Sequence, residues 1–389
     1  MKKLELNFLT HFMALVALSL PVTANAADSL YWGNEAAGTI RAANLDGSGT
    51  PSDLFSSEGN PCGVAIDPAA GTIYWANFNF DGIRVANLDG SGPASTLFDE
   101  EGFPCGVAID PAAGRIYWAN FGTNAIRVAN LDGSGAASTL FQEAAETAPS
   151  GVAIDTAAST IYWANQNSDE IRVGNLDGSG TALTLVSGED TPIGVAIDRE
   201  AGKIYWAQFG ACCSGPGAIR VANLDGTGIS TLFSGEGAPG GVAIDPEANK
   251  IYWANFGSSL IRVGNLDGTG AASTLYSSEI SPLFPVLLKA PVSTDAPGIS
   301  GGAKVGRELT CENGQWAPDL LGAFLFRAPR SFEYQWMKDG TDIPSGVQAV
   351  FTPAIAGSYS CRVTASNQAG STSRMSSIKK VKVRKGGGD

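Results

Sequence analysis

A Tyr-Trp pair recurs six times in this chain, at Tyr31-Trp32, Tyr74-Trp75, Tyr117-Trp118, Tyr162-Trp163, Tyr205-Trp206 and Tyr252-Trp253, with spacings of 43, 43, 45, 43 and 47 residues. Each pair is followed by Ile-Arg (Arg41, Arg84, Arg127, Arg172, Arg220, Arg262), then Asn-Leu-Asp-Gly, then a short apolar step such as Thr96-Leu97-Phe98. Five copies open with Gly-Val-Ala-Ile-Asp, at Gly63, Gly106, Gly151, Gly194 and Gly241. Each unit thus reads as four short β-rich runs separated by Pro- and Gly-bearing turns, because Pro presets φ and Gly accepts a positive φ. Four strands per period of about forty-five residues is the signature of a β-propeller blade. The first copy lacks its opening strand, while Pro285-Val286-Leu287-Leu288-Lys289 falls where a seventh opening strand would lie. The surplus strand is expected to complete the first blade, setting the count at six and pairing edges that otherwise invite aggregation. The first domain is placed at residues 27–292.

With those residues in view, the repeat resembles the class B, Tyr-Trp-Thr-Asp repeats of low-density lipoprotein receptors over residues 29 to about 292. The departure is consistent: Asn34, Asn77, Asn120, Asn165, Gln208 and Asn255 stand where that family has Asp. The resemblance implies a protein-recognition platform.

The repeat stops near residue 293, and the spacing Cys311, Trp336, Tyr359, Cys361 takes over. Tyr359, two residues before Cys361, has the place of the tyrosine corner. Residues 293–378 therefore resemble an immunoglobulin-like β-sandwich with an inserted loop from Trp316 to Ser331. That resemblance implies a Cys311–Cys361 disulfide. Cys62 and Cys105 occupy equivalent places in adjacent repeats, and Cys212 and Cys213 are consecutive. Their pairing stays open, and all four are expected on one face. The reading is all-β: a six-bladed β-propeller plus a C-terminal immunoglobulin-like sandwich.

Lys2 and Lys3, an apolar run from Phe12 to Leu20, and Ala24-Asn25-Ala26 have the order of a secretory signal peptide, placed at residues 1–26. The run is too short to span a bilayer, so a secreted or extracellular, surface-associated product is expected, with no membrane span. A formal charge of −13 argues against nucleic acid as a partner. The basic residues at 379–389 read as a flexible tail.

The single histidine, His11, lies in the signal segment. This excludes Ser-His-Asp and Cys-His catalysis and histidine-bound zinc. The Asn-Leu-Asp-Gly turns lack the glutamate that closes a calcium loop. No cofactor or bound metal is expected, and the protein reads as a binder rather than an enzyme. The alternatives are a histidine-independent, calcium-dependent lactonase-like hydrolase and a structural cell-surface protein. The repeated Trp and Tyr read as packing between blades, and the six Arg as ion-paired with Asp67, Asp110, Asp155, Asp198 or Asp245. One face carries monotonous Asp-Pro-Ala-Ala-Gly and Asp-Gly-Ser-Gly turns. The other carries variable loops, and the expected site lies there: Phe78, Asn79, Phe80, Asp99, Glu100, Glu101, Phe103, Phe121, Phe209 and Phe256. Aromatic rings among carboxylates suit a basic or mixed extracellular peptide.

Overall fold

A computed structural model describes residues 27–210 and 216–383. The expected signal segment 1–26, Cys212, Cys213 and residues 384–389 lie outside the described residues.

Each repeat forms a four-stranded antiparallel sheet resembling a propeller blade. In the second blade the strands are Pro61–Asp67, Thr72–Asn77, Gly82–Asn87 and Ser95–Phe98, in that order from inner to outer edge. Among the described residues there are six such units. In the first, Pro282–Leu288 pairs antiparallel with Ser29–Asn34, placing a strand from the end of the repeat region inside the three N-terminal ones.

The second strands are buried on both faces because neighbouring blades stack on them. All six Trp of the repeat have no exposed surface. Five of them stack on an aromatic ring from the outer strand of the preceding blade: Phe55 on Trp75, Phe98 on Trp118, Phe141 on Trp163, Phe233 on Trp253 and Tyr276 on Trp32, at 5.0–6.0 Å. The rings recur because each blade needs the same contact.

The opening Gly of each inner strand has a different cause. A methyl group on Gly106 would lie 2.5 Å from the carbonyl oxygen of Ser150 and 2.6 Å from the Cα of Gly151. Gly63, Gly151, Gly194 and Gly241 meet the next inner strand in the same way. Only a residue without Cβ fits where inner strands crowd this closely. The sixth place holds Phe284, buried, with φ 44°. Its ring reaches toward Gly151 and Gly194 of the fourth and fifth blades, filling the centre that the five glycines leave.

The C-terminal region is a curled sheet resembling an immunoglobulin-like sandwich. Ser331–Lys338 pairs with Gly357–Asn367, which pairs with Gly370–Met375. The Cys311–Cys361 disulfide lies beside fully buried Trp336. The Tyr359 hydroxyl donates to the carbonyl of Ile355 at 2.7 Å. Lys379–Val381, expected in a flexible tail, instead forms a strand on Gly357–Tyr359, since Val381 alternates inward and is buried. That part of the tail assignment is corrected.

The expected loop from Trp316 to Ser331 carries the junction between the two regions. It contains a short 3-10 turn, Leu321–Ala323, and the strand Leu325–Phe326, which pairs parallel with the inner strand of the first blade. Ala323, Phe324, Leu325 and Phe326 are buried in the core of the repeat region. Gly322 sits against Ile197 and the carbonyl of Ile154. The segment thus caps the centre of the blades at the end opposite the variable loops. Arg327 adds an ion pair to Glu247 at 2.7 Å.

Candidate functional site

Six buried carboxylates organise the variable-loop side. Glu58, Glu101, Glu143, Glu189, Glu236 and Glu279 sit in the connections between blades, with side chains no more than 6% exposed. Each ion-pairs with the Arg of the following blade: Glu58 with Arg84, Glu101 with Arg127, Glu143 with Arg172, Glu189 with Arg220, Glu236 with Arg262 and Glu279 with Arg41. Glu279 also accepts from Trp32 Nε1 at 3.0 Å and Asn34 Nδ2 at 2.9 Å, and Glu236 from Trp253 Nε1 at 2.8 Å and Asn255 Nδ2 at 2.7 Å. The backbone N–H of Glu58, Glu101, Glu189 and Glu279 donates to a carbonyl in the loop between the second and third strands of the preceding blade, at Gly38, Asp81, Asp169 and Ser259. Each such residue therefore stitches two blades together.

The expected Arg partners are corrected by this geometry. Asp67, Asp110, Asp155, Asp198 and Asp245 lie at the opposite end of the inner strands. Each accepts backbone N–H groups of its own hairpin turn, as Asp67 Oδ1 does from Ala69 and Ala70. A short acid after a strand closes the turn locally before it can reach an Arg two strands away. The right partner had a periodic signal: a Glu stands five residues before the inner-strand Gly, or before Phe284, in all six repeats, and it is the Arg partner in five, Glu143 replacing Glu146 in the fourth blade.

Among the expected site residues, Phe78, Phe103 and Phe121 come together. Phe78 stacks on Phe103 at 5.2 Å and meets Phe121 edge-on at 5.7 Å. Phe103 is 47% and Phe80 61% exposed, and Asn79, Asp99 and Glu100 are also exposed. The Phe103 N–H donates to Asp81 Oδ1 at 2.6 Å, tying the inter-blade connection to the loop that carries Phe80. Two assignments fail. Glu101 is consumed by the Arg127 pair, so only Asp99 and Glu100 of the acidic triplet face solvent. Phe209 is buried with Cys62, Cys105, Ile193, Leu283 and Phe284 in the apolar centre of this face, and it pairs with Phe256 rather than with the Phe78 cluster. Cys62 and Cys105 form a disulfide between the inner strands of the second and third blades. The expected position of Cys212 and Cys213 concerns residues outside those described.

A second concavity lies at the other end, where the capping segment meets the blades. It measures about 380 Å³, with Ile154, Ile197 and Leu321 as apolar walls and Asp155, Asp198 and Arg327 as polar ones. Among the described residues, no group of three or more His, Cys, Asp or Glu is placed to hold a metal ion. No helix among them is long and apolar enough to cross a membrane.

No family profile and no curated protein matches the sequence. The fold is matched by solved structures. A chain in the crystal structure of a nidogen/laminin complex is 18% identical, with a TM-score of 0.58, over 67% of this chain and 98% of that one. TolB from Acinetobacter baumannii is 14% identical, with a TM-score of 0.52, over 68% and 67%. A gluconolactonase from Xanthomonas campestris is 18% identical, with a TM-score of 0.49, over 58% and 79%. About two thirds of the chain therefore has a β-propeller-type fold, shared with the chain of the nidogen/laminin complex and with TolB. The reading that the protein is not an enzyme is corrected: a propeller-type fold hosts both binding proteins and enzymes, so this fold does not exclude catalysis. Lack of histidine removes histidine-dependent chemistry only.

Proposed function

We propose that the protein is a secreted or surface-associated recognition module that holds a basic or mixed peptide on the variable-loop face, over Phe78, Phe80, Phe103 and Phe121, with Asp99 and Glu100 steering its approach. The observation that carries this reading is Phe103. The residue before the opening Pro of each inner strand has a positive φ, and in the other repeats it is Asn60, Ala148, Thr191, Ala238 or Ser281. Small or turn-forming side chains meet that requirement, so the fold has no need of an aromatic ring there. Phe103 supplies one in a strained conformation and leaves it half exposed beside Phe80. An exposed aromatic ring at a turn position that the other repeats fill without one supports a contact made with something else.

The test uses a partner captured from the native extracellular milieu. Replacing Phe80 and Phe103 together by Ala is expected to weaken its binding about 30-fold, chiefly through faster dissociation. Glu100→Lys should slow association in a salt-sensitive way. Binding that survives both changes but is lost when the Asp89-Gly90-Ser91-Gly92 turn is altered refutes the assignment.

A second reading places a small molecule in the cavity between blades and sandwich, whose volume and mixed lining are those of a small-molecule site. Stoichiometric calcium in the purified protein, with hydrolysis of a model lactone lost on chelation, would move the assignment to a calcium-dependent hydrolase.

Both readings assume that the six blades form one closed ring of the low-density lipoprotein receptor class B type, followed by a true immunoglobulin-like domain. The pairing of Pro282–Leu288 with Ser29–Asn34 supports closure. The full-length chain with Val286→Pro, which breaks the pairing with Tyr31, should aggregate, whereas the unaltered chain should stay soluble. Equal solubility and melting of the two contradicts closure.

A further inference from the structure

We propose that the tip of the sandwich remote from the blades binds a linear anionic polysaccharide. Lys380 and Lys382 are exposed on either side of buried Val381. Lys304 lies beside Lys382 in a parallel bridge, closed by Val305 N–H to Lys382 O and Lys382 N–H to Ala303 O, both at 3.0 Å. Exposed Arg307 follows on the same turn, its N–H bonded to the carbonyl of Lys304 at 3.1 Å. Residues two apart on a strand are about 6.6 Å apart, and neighbouring strands about 4.8 Å. Lys380, Lys382 and Lys304 therefore lie within one strand pair, with Arg307 on the adjoining turn, a narrow cluster that suits a single extended polymer better than a plane of head groups.

Among the described residues, none of the four has a carboxylate within ion-pair distance, while Arg327, Arg330, Lys338 and Arg362 of the same region all do. Exposed charges beyond about 8–10 Å are screened at physiological salt, so the acidic blades do not cancel the local field.

Position gives the surface its use. The hairpin end of Gly357–Asn367 touches the blades, with Asn367 Nδ2 donating to the carbonyl of Lys289 at 2.7 Å. Lys379–Val381 pairs with the other end of that strand, about 33 Å away. The sandwich itself docks on the face opposite the variable loops. A polymer held at the basic tip leaves the variable-loop face free and turned outward.

The experiment titrates heparin, as the probe, into the full chain at low salt, with neutral dextran as control. Tight binding that weakens steeply with salt is expected. The triple variant Lys304→Glu, Lys380→Glu, Lys382→Glu should bind roughly 100-fold more weakly, at about 1 kcal/mol per lysine facing an anionic surface, with unchanged melting because all three are exposed. A chain ending at Val383 should keep most of the affinity. The proposal is overturned if heparin is not bound, if the triple variant binds equally, or if removing residues 384–389 alone abolishes binding. Tighter binding to phosphatidylglycerol vesicles or to duplex DNA than to heparin also overturns it, in favour of a lipid or nucleic-acid surface.

Discussion

Gly106→Ala is expected to destabilise the repeat region by about 3 kcal/mol or more, at or beyond the upper end of what one added core methyl costs. Its new methyl meets the Ser150 carbonyl oxygen at 2.5 Å, the Gly151 Cα at 2.6 Å and the Val152 N at 2.9 Å. All three are backbone atoms of the next inner strand, so no rotamer change relieves the overlap. Relief requires two blades to separate where Gly63, Gly151, Gly194, Gly241 and Phe284 are packed in the same manner. Gly114→Ala is the control. Gly114 has φ 64° and open space where the methyl would go, so only the backbone penalty of about 1–2 kcal/mol applies. Denaturant melts of the two variants separate crowding from conformational strain. Equal losses would show that the inner strands are not the tight element described here.

Glu279→Ala is the second large effect, expected at about 3–5 kcal/mol, the cost of leaving a buried pair half empty. The 1% exposed carboxylate accepts from Trp32 Nε1, Asn34 Nδ2 and Arg41 Nη1, all at 2.9–3.0 Å. Removing it strands the Asn34 amide, leaves Trp32 Nε1 only Asn34 Oδ1 at 3.0 Å, and takes from Arg41 its buried carboxylate, in the blade that combines both ends of the repeat region. Arg41 also contacts Asp53 at 2.8 Å, but that carboxylate is 53% exposed. Asp53→Ala should therefore cost no more than about 1 kcal/mol. If the two substitutions prove equal in a thermal melt, Glu279 is a surface acid in solution and the stitching role fails.

Much of the architecture was legible in the residues because it is periodic. A contact that every blade must make selects the same side chain six times, so the buried Trp, their stacking partners and the turn glycines announce themselves by recurrence. Cys311, Trp336, Tyr359 and Cys361 were legible for a related reason: a sandwich packs one Trp against one disulfide, and their order along the chain survives changes elsewhere. The inter-blade Glu residues were periodic too. They were missed because acidic residues in connections read as solvated, and only burial distinguishes Glu101 from its exposed neighbour Glu100.

What the tertiary structure decided are the contacts between residues that no period relates. Phe284 breaks the Gly pattern, and its meaning appears only when its ring is seen reaching the inner strands of the fourth and fifth blades. Leu325–Phe326 lies in a stretch that reads as an insertion within the sandwich, yet it pairs with Leu287 and Leu288 of the first blade. Whether Phe209 joins Phe78 or Phe256 depends on how far apart the blades hold their loops, and so does the choice of Glu rather than Asp as the partner of each Arg. Sequence determines side chains and local strand geometry directly. Distances between separate strands arise only when the whole set packs together.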